Sequence, residues 1–185
     1  ASPIPVTLTF SEVVSDFVIG DVTVGNGTAS NFTTSDNQTF TLDVTPIGDG
    51  TVTVDVAASV AQDTAGNNNT AATQFTISSD LTVPTLTSFV RQTPASGITN
   101  ADSLVFLASF SEDVQTVDAA DFTIDSSSTA TVTNINQTSA STYEVTLSGG
   151  DLVSFHGTVG LNLAGGQNIN DNVGNPLPTG EPTKD

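Results

Sequence analysis

An all-β fold, built as two tandem antiparallel β-sandwiches, is the structure that the sequence predicts. Three observations predict it: short runs in which apolar and polar residues alternate, turn-forming clusters between those runs, and an internal repeat. The alternation has the period of a strand with one buried face and one solvated face. No window shows a sustained helical period, so we expect strands to build the core.

The predicted strands follow one another at short intervals along the chain. Alternating runs lie at 6–10, 40–44 and 52–56, and comparable runs recur at 104–110, 143–147 and 159–163. Turn-forming sequences separate them, namely IGDG (47–50), AGNNN (65–69), SGGD (148–151) and VGN (173–175). This punctuation is typical of antiparallel sandwiches. The one candidate helical turn is 117–122, where Asp118 is placed to cap it.

The two halves of the chain repeat the same ordered set of short motifs. The sequence FSE at 10–12 recurs at 110–112, DVT at 21–23 recurs as DFT at 121–123, and DTAGN at 63–67 recurs as DNVGN at 171–175. This repeat predicts two domains, 1–80 and 81–185, which meet at the short linker ISSDLTVPTL (77–86).

The repeat also predicts that each domain lacks one strand. The second domain opens with TLTSFV (85–90), which has no counterpart in the first, and the first closes with TQFTISS (73–79), which has none in the second. We therefore expect the first domain to lack its opening strand and the second its closing strand, as in a fragment of a longer array.

Charge is the most unusual property of the composition. Twenty Asp and Glu residues against two Lys and Arg residues give a formal net charge of −18. Such a polyanion repels nucleic acid and anionic membranes, which excludes both as partners and leaves cations as the natural ligands. The chain has no Cys, so disulfides and thiolate metal sites are excluded.

Several of the acidic residues are predicted to meet at one end of the second domain. When the strands are threaded as an immunoglobulin-like sandwich and lettered A to G, Glu112 ends strand B, whereas Asp171 and Asn175 lie in the F–G loop. The B–C and F–G loops share the end at which strand A enters, so Asp80, just before strand A, arrives at the same place. Asp49, in the E–F turn of the first domain, is a candidate for completing the set. Calcium suits this irregular group of oxygen ligands better than magnesium, which demands octahedral geometry.

These motifs carry a resemblance to a known family. FSE followed by DVTV or DFTI, then D-x-x-G-N and a linker Asp before Pro, resembles the bacterial Ig-like repeats of giant surface adhesins, and it does so twice along the chain. The resemblance, which extends to cadherins, implies an extracellular spacer in which calcium at the junctions stiffens neighbouring repeats. It implies two ligand sets: Asp80, Glu112, Asp171 and Asn175 at the complete junction, and Glu12, Asp63 and Asn67 at the other end of the first domain. The adhesin's own ligand is not identified by these motifs.

Other interpretations of these residues stay open at this point. Any one of the acids is more often a solvated strand end than a ligand, and Asp21 and Asp121 are predicted to cap turns, with metal ligation as the minor alternative. His156 has no partner in a recognisable catalytic motif, and no carboxylate pair stands out, so we expect no enzyme. A glycan- or protein-binding module remains an alternative, although the chain has no Trp and its one Tyr, Tyr143, is predicted to point inward. A filament or surface-layer subunit that assembles by strand exchange is a third.

Overall fold

The computed structural model describes residues 2–180 and contains two compact units, one ending at Leu81 and the other beginning at Thr82. Strands build both units. Within the described residues the only helical pieces are three single 3-10 turns, at Ile19–Asp21, Ala119–Asp121 and Leu152–Ser154. The predicted all-β class is therefore confirmed. No helix in this part of the chain is long and apolar enough to span a bilayer.

From residue 2 onward the first unit contains eight strands, which we number in chain order. They are β1 (Ile4–Thr9), β2 (Val14–Ser15), β3 (Val22–Gly25), β4 (Gly27–Thr34), β5 (Thr39–Pro46), β6 (Gly50–Val56), β7 (Gln62–Asp63) and β8 (Phe75–Ser79). Two antiparallel three-stranded sheets form, with the orders β1-β5-β4 and β3-β6-β8. The core lies between them, because the buried cluster takes Leu42 and Val44 from the first sheet and Val52 and Val54 from the second.

The described part of the second unit, up to residue 180, also contains eight strands. They are β9 (Leu86–Thr93), β10 (Ser103–Phe110), β11 (Val114–Gln115), β12 (Phe122–Asp125), β13 (Thr131–Ser139), β14 (Thr142–Ser148), β15 (Gly160–Leu163) and β16 (Asn170–Asp171). Its larger sheet has the order β13-β14-β10-β9, and β12 pairs with β15. Strict alternation in β10 and β14 places Phe106, Val145 and Leu147 in the core with no exposed surface.

The sheet orders are those of an immunoglobulin-like sandwich. In that fold strands A, B, E and D form one sheet and C, F and G form the other. In the second unit, strands A, B, E and D are β9, β10, β14 and β13, and strands C and F are β12 and β15. In the first unit, strands B, E and D are β1, β5 and β4, and strands C, F and G are β3, β6 and β8. Within residues 2–180, the first unit thus has no strand at position A and the second none at position G, as predicted.

Two very short strand pairs bring the acidic motifs together within each unit. Val14 pairs with Asp63 through β2 and β7, and Val114 pairs with Asp171 through β11 and β16. In each unit the pair joins the segment between strands B and C to the segment that follows strand F by backbone hydrogen bonds. Since the FSE motif ends two residues before Val14 or Val114, the pairing holds Glu12 or Glu112 beside the D-x-x-G-N turn.

Candidate metal centre

The D-x-x-G-N motif of the second unit folds as a tight turn organised around Asp171. Its Oδ1 accepts hydrogen bonds from the backbone N–H groups of Val173 at 2.9 Å, Gly174 at 2.6 Å and Asn175 at 2.8 Å. Its Oδ2 accepts a fourth from Asn175 Nδ2 at 2.8 Å. Gly174 has a φ of 96°, the left-handed region that glycine enters without steric cost. This backbone conformation lets the loop turn back so that its amide groups reach Asp171.

Asp171 is a buried carboxylate that stays ionised. The side chain is 2 % exposed, and burial alone would raise its pKa. The backbone and side-chain hydrogen bonds from Asn175, together with those from Val173 and Gly174, outweigh burial and hold the pKa of Asp171 below its ordinary value. The turn therefore presents a negative charge at neutral pH.

The end of strand B places Glu112 next to the start of strand A. Ser111 donates its backbone N–H to Thr85 O at 2.9 Å, and its Oγ accepts a hydrogen bond from Thr85 N at 2.9 Å. These two bonds fix the chain where it enters the second unit. Glu112, half-buried, is the next residue after Ser111. The sequence motif FSE therefore couples a linker contact, made by Ser, to a carboxylate, supplied by Glu.

The linker reaches the same turn through its backbone. Asn175 Nδ2 donates a hydrogen bond to Thr82 O at 3.0 Å, and Pro84 is fully buried. Asp80, which is exposed, lies two residues before Thr82. One carboxylate oxygen from each of Asp80, Glu112 and Asp171 lies within 4.8 Å of the other two.

This spacing has the scale of a calcium coordination shell. Two oxygens bound to one calcium ion at about 2.4 Å lie at most about 4.8 Å apart. The donor set is entirely oxygen, which suits a hard cation, and it carries three formal negative charges with no basic residue among them. The residues present thus fit calcium by chemistry and by separation.

Asp49 contacts the backbone at the end of the first unit. It lies in the turn between β5 and β6, and its Oδ1 accepts a hydrogen bond from Leu81 N at 2.5 Å. Its role within the first unit is thus to hold the backbone of the residue that follows Asp80.

The first unit repeats the turn but exposes it more. Asp63 accepts hydrogen bonds from Ala65 N, Asn67 N and Asn67 Nδ2 at 2.7–2.8 Å, as Asp171 does from its own loop. The side-chain and backbone bonds from Asn67 lower the pKa of Asp63. Glu12, Asp63 and Asn67 line one pocket of ≈ 170 Å³, so the structure brings the second predicted set together as well. Glu12 itself is exposed.

Two other acids have the structural role predicted for them. Asp21 Oδ2 accepts a hydrogen bond from Val18 N at 2.9 Å, and Asp121 Oδ2 accepts one from Asp118 N at 2.7 Å. Asp118 in turn caps the 3-10 turn by accepting from Ala120 N, as predicted. Asp121 also accepts from Asn168 N at 3.0 Å and is 2 % exposed, a burial that the sequence did not reveal.

The remaining sequence-based expectations concern His156 and Tyr143. His156 is exposed, whereas Tyr143 is buried at 6 % exposure and points inward as predicted. Its hydroxyl donates to Val114 O at 2.8 Å, so this side chain offers no exposed aromatic face to a sugar.

Comparison with known families bears on the first unit directly. Residues 2–79 match the family model of a bacterial Ig-like domain. Over this stretch the first unit is similar to bacterial Ig-like domains. This match spans the Ig-like unit that carries Glu12 and Asp63, and the second unit shares the strands at positions B, C, D, E and F. Searches of curated proteins and of solved structures find no significant match to the chain.

Proposed function

We propose that this chain is a calcium-rigidified spacer segment of a bacterial cell-surface adhesin, with no catalytic activity. The observation that carries the proposal is the group formed by Asp80, Glu112 and Asp171, whose carboxylate oxygens lie within 4.8 Å of one another. In water, two unit charges at about this distance repel by roughly 1 kcal/mol, and by more where the site is partly buried. A divalent cation converts that repulsion into attraction.

Each ligand has a defined atom to offer. Asp171 Oδ1 already accepts three backbone N–H groups, so Oδ2 is the atom with capacity for a cation. Asn175 directs its Nδ2 to Asp171 and Thr82, so Oδ1 is the atom with which it would bind. Glu112 and Asp80 supply further carboxylate oxygens, and backbone carbonyls and water complete the six to eight ligands that calcium takes.

The mechanical consequence follows from where the ligands lie in the chain. Asp80 belongs to the linker, and the other three belong to the second unit. An ion bound by all of them restrains the linker, which limits how freely adjacent repeats move. Neighbouring Ig-like repeats are thus the structural partners of this segment, and an extracellular location, where calcium is abundant, is the setting that the proposal requires.

The decisive experiment compares the protein in chelator and in millimolar calcium. We expect calorimetric titration to show binding, the melting temperature to rise with calcium, and small-angle scattering to show a narrower distribution of shapes. The Glu112→Gln variant should lose most of this response. The matched variant Glu144→Gln removes a carboxylate from the same unit, one that accepts a hydrogen bond from Asn136, and should keep it. Absence of any calcium response in the unmodified protein would refute the proposal.

A further inference from the structure

In the first unit, the ring of Phe17 fills a space beneath the B–C connection. It contacts three other rings, with centroid distances of 4.9 Å to Phe10, 5.7 Å to Phe32 and 5.0 Å to Phe40. Phe17 is buried at 6 % exposure. This position of the first unit is therefore closed by an aromatic cluster made from its own residues.

The corresponding position of the second unit is occupied by Val117. Asp16 and Thr116, the residues just before positions 17 and 117, share the same left-handed φ of 63°. The strand registers give a second correspondence. Phe40 pairs with Leu8 on one side and Thr34 on the other. Tyr143 pairs in the same way with Ala108 and Gln137, so Tyr143 stands at the position of Phe40. Counted two residues back from Thr34 and from Gln137, Ile135 stands at the position of Phe32. Two of the rings of the first unit are thus replaced by smaller aliphatic side chains.

A pocket of ≈ 650 Å³ lies at this position of the second unit, and we call it the Val117 pocket. Its lining includes Val117, Asp118, Ile135, Gln137, Tyr143 and Asn172. The volume is within the range of small-molecule sites, and it is large enough for a phenyl ring together with the residues that flank it. The Tyr143 hydroxyl donates to Val114 O and accepts from Gln137 Nε2 at 2.9 Å, so this polar group is satisfied without a ligand. Val117, Ile135 and Tyr143 therefore supply an apolar surface for a ring, and Asp118, Gln137 and Asn172 supply polar groups beside it.

The electrostatics of the Val117 pocket favour a cationic neighbour for that ring. Asp118 lies on its lining, and Asp113 is close enough for its charge to act on Tyr143. Burial raises the pKa of Tyr143, and the negative charge of Asp113 adds to the rise. A second copy of this chain is a poor occupant, because each copy carries a formal net charge of −18.

We propose that the Val117 pocket binds an aromatic side chain of a partner polypeptide, with an adjacent Arg or Lys of that partner pairing with Asp118. The first unit shows that a phenyl ring fits the same framework, and the acidic lining selects for a basic flank. This inference does not depend on calcium binding. It identifies the second unit as an interaction module in addition to any spacer role.

The test uses three blocked tripeptides titrated into the whole protein and followed by the backbone amide signals of Val117, Ile135 and Tyr143. We expect acetyl-Arg-Phe-Arg-amide to shift these signals saturably. Acetyl-Arg-Ala-Arg-amide should bind at least tenfold more weakly, because burial of a phenyl ring contributes roughly 1.5–3 kcal/mol. Acetyl-Glu-Phe-Glu-amide should be repelled and leave the signals in place. If the alanine or the acidic peptide binds as well as the first, the proposal is wrong.

Three variants locate the binding to this pocket. Val117→Phe should place in the pocket the ring found in the first unit and so abolish binding of the Arg-Phe-Arg peptide. The melting temperature should stay unchanged or rise. Val153→Phe adds the same ring at a position of the second unit that is 64 % exposed, and should leave binding intact. Asp118→Asn should weaken binding about two- to fivefold, the range of an exposed ion pair. Unchanged affinity in Val117→Phe would overturn the assignment.

Discussion

The Glu112→Gln variant should be more stable than the unmodified protein in chelator and less stable than it in calcium. The substitution keeps the shape of the side chain and removes one of the charges that lie within 4.8 Å of one another. In chelator the variant escapes the repulsion between positions 112 and 171, about 1 kcal/mol for one pair in water. It should therefore melt above the unmodified protein, by roughly 4–8 °C for a unit of this size.

In calcium the order should invert. At free calcium of about a hundred times the dissociation constant, a bound ion adds about 2.7 kcal/mol, which corresponds to a rise of roughly 10–20 °C. Loss of one carboxylate ligand that weakens affinity about a hundredfold leaves only about 0.4 kcal/mol at the same calcium concentration, or roughly 2–3 °C. The unmodified protein should then be the more stable one.

Differential scanning calorimetry in chelator and in calcium measures both orders. The Glu144→Gln variant controls for the loss of one negative charge and should respond to calcium as the unmodified protein does. Two results would refute the reasoning: Glu112→Gln and the unmodified protein keep the same order in both media, or Glu144→Gln behaves as Glu112→Gln does.

Three further predictions concern stability without metal. Because the pKa of Asp171 is lowered in the folded state, its contribution to folding stability is complete above the unfolded pKa near 3.9. That contribution is lost as pH falls through the lower folded pKa. In chelator, the melting temperature of the unmodified protein should therefore fall in acid, and Asp171→Asn should not show this fall. Asp121→Ala leaves two backbone N–H donors without their acceptor and should lower the free energy of unfolding in urea by about 2–5 kcal/mol. Asp21→Ala leaves one such donor and should lower it by about 1 kcal/mol. Equal losses in the two variants would contradict this account. Gly174→Ala places a side chain at a φ of 96° and should cost more than about 1 kcal/mol in urea unfolding, unlike Gly165→Ala, where φ is not in that region.

The sequence predicted those strands whose alternation spans several residues. β5, β10 and β14 bury every second side chain, so their period is visible without any tertiary information. β4 and β13 lie at sheet edges and are largely exposed, which removes the apolar half of the pattern. β2 and β11 contain two residues each, too few for any period, and their pairing depends on contacts 47–57 residues away in sequence.

The candidate site shows the same division between local and distant information. Asp171, Gly174 and Asn175 were recognisable because one short motif supplies both the acceptor and the donors of the turn. The burial of Asp121 was not, because its second donor, Asn168 N, comes from a segment 47 residues away. The Val117 pocket was equally hidden, since it arises from differences between the two units at positions that touch only after folding.

The turn around Asp171 keeps its shape through bonds to its own backbone. Three amide groups converge on one oxygen atom, and a glycine makes the reversal possible. A loop held in this way does not need to refold each time an ion arrives or departs. If calcium binds here as proposed, its exchange should be rapid and fully reversible, and the segment should become stiffer and more flexible repeatedly while each unit stays folded.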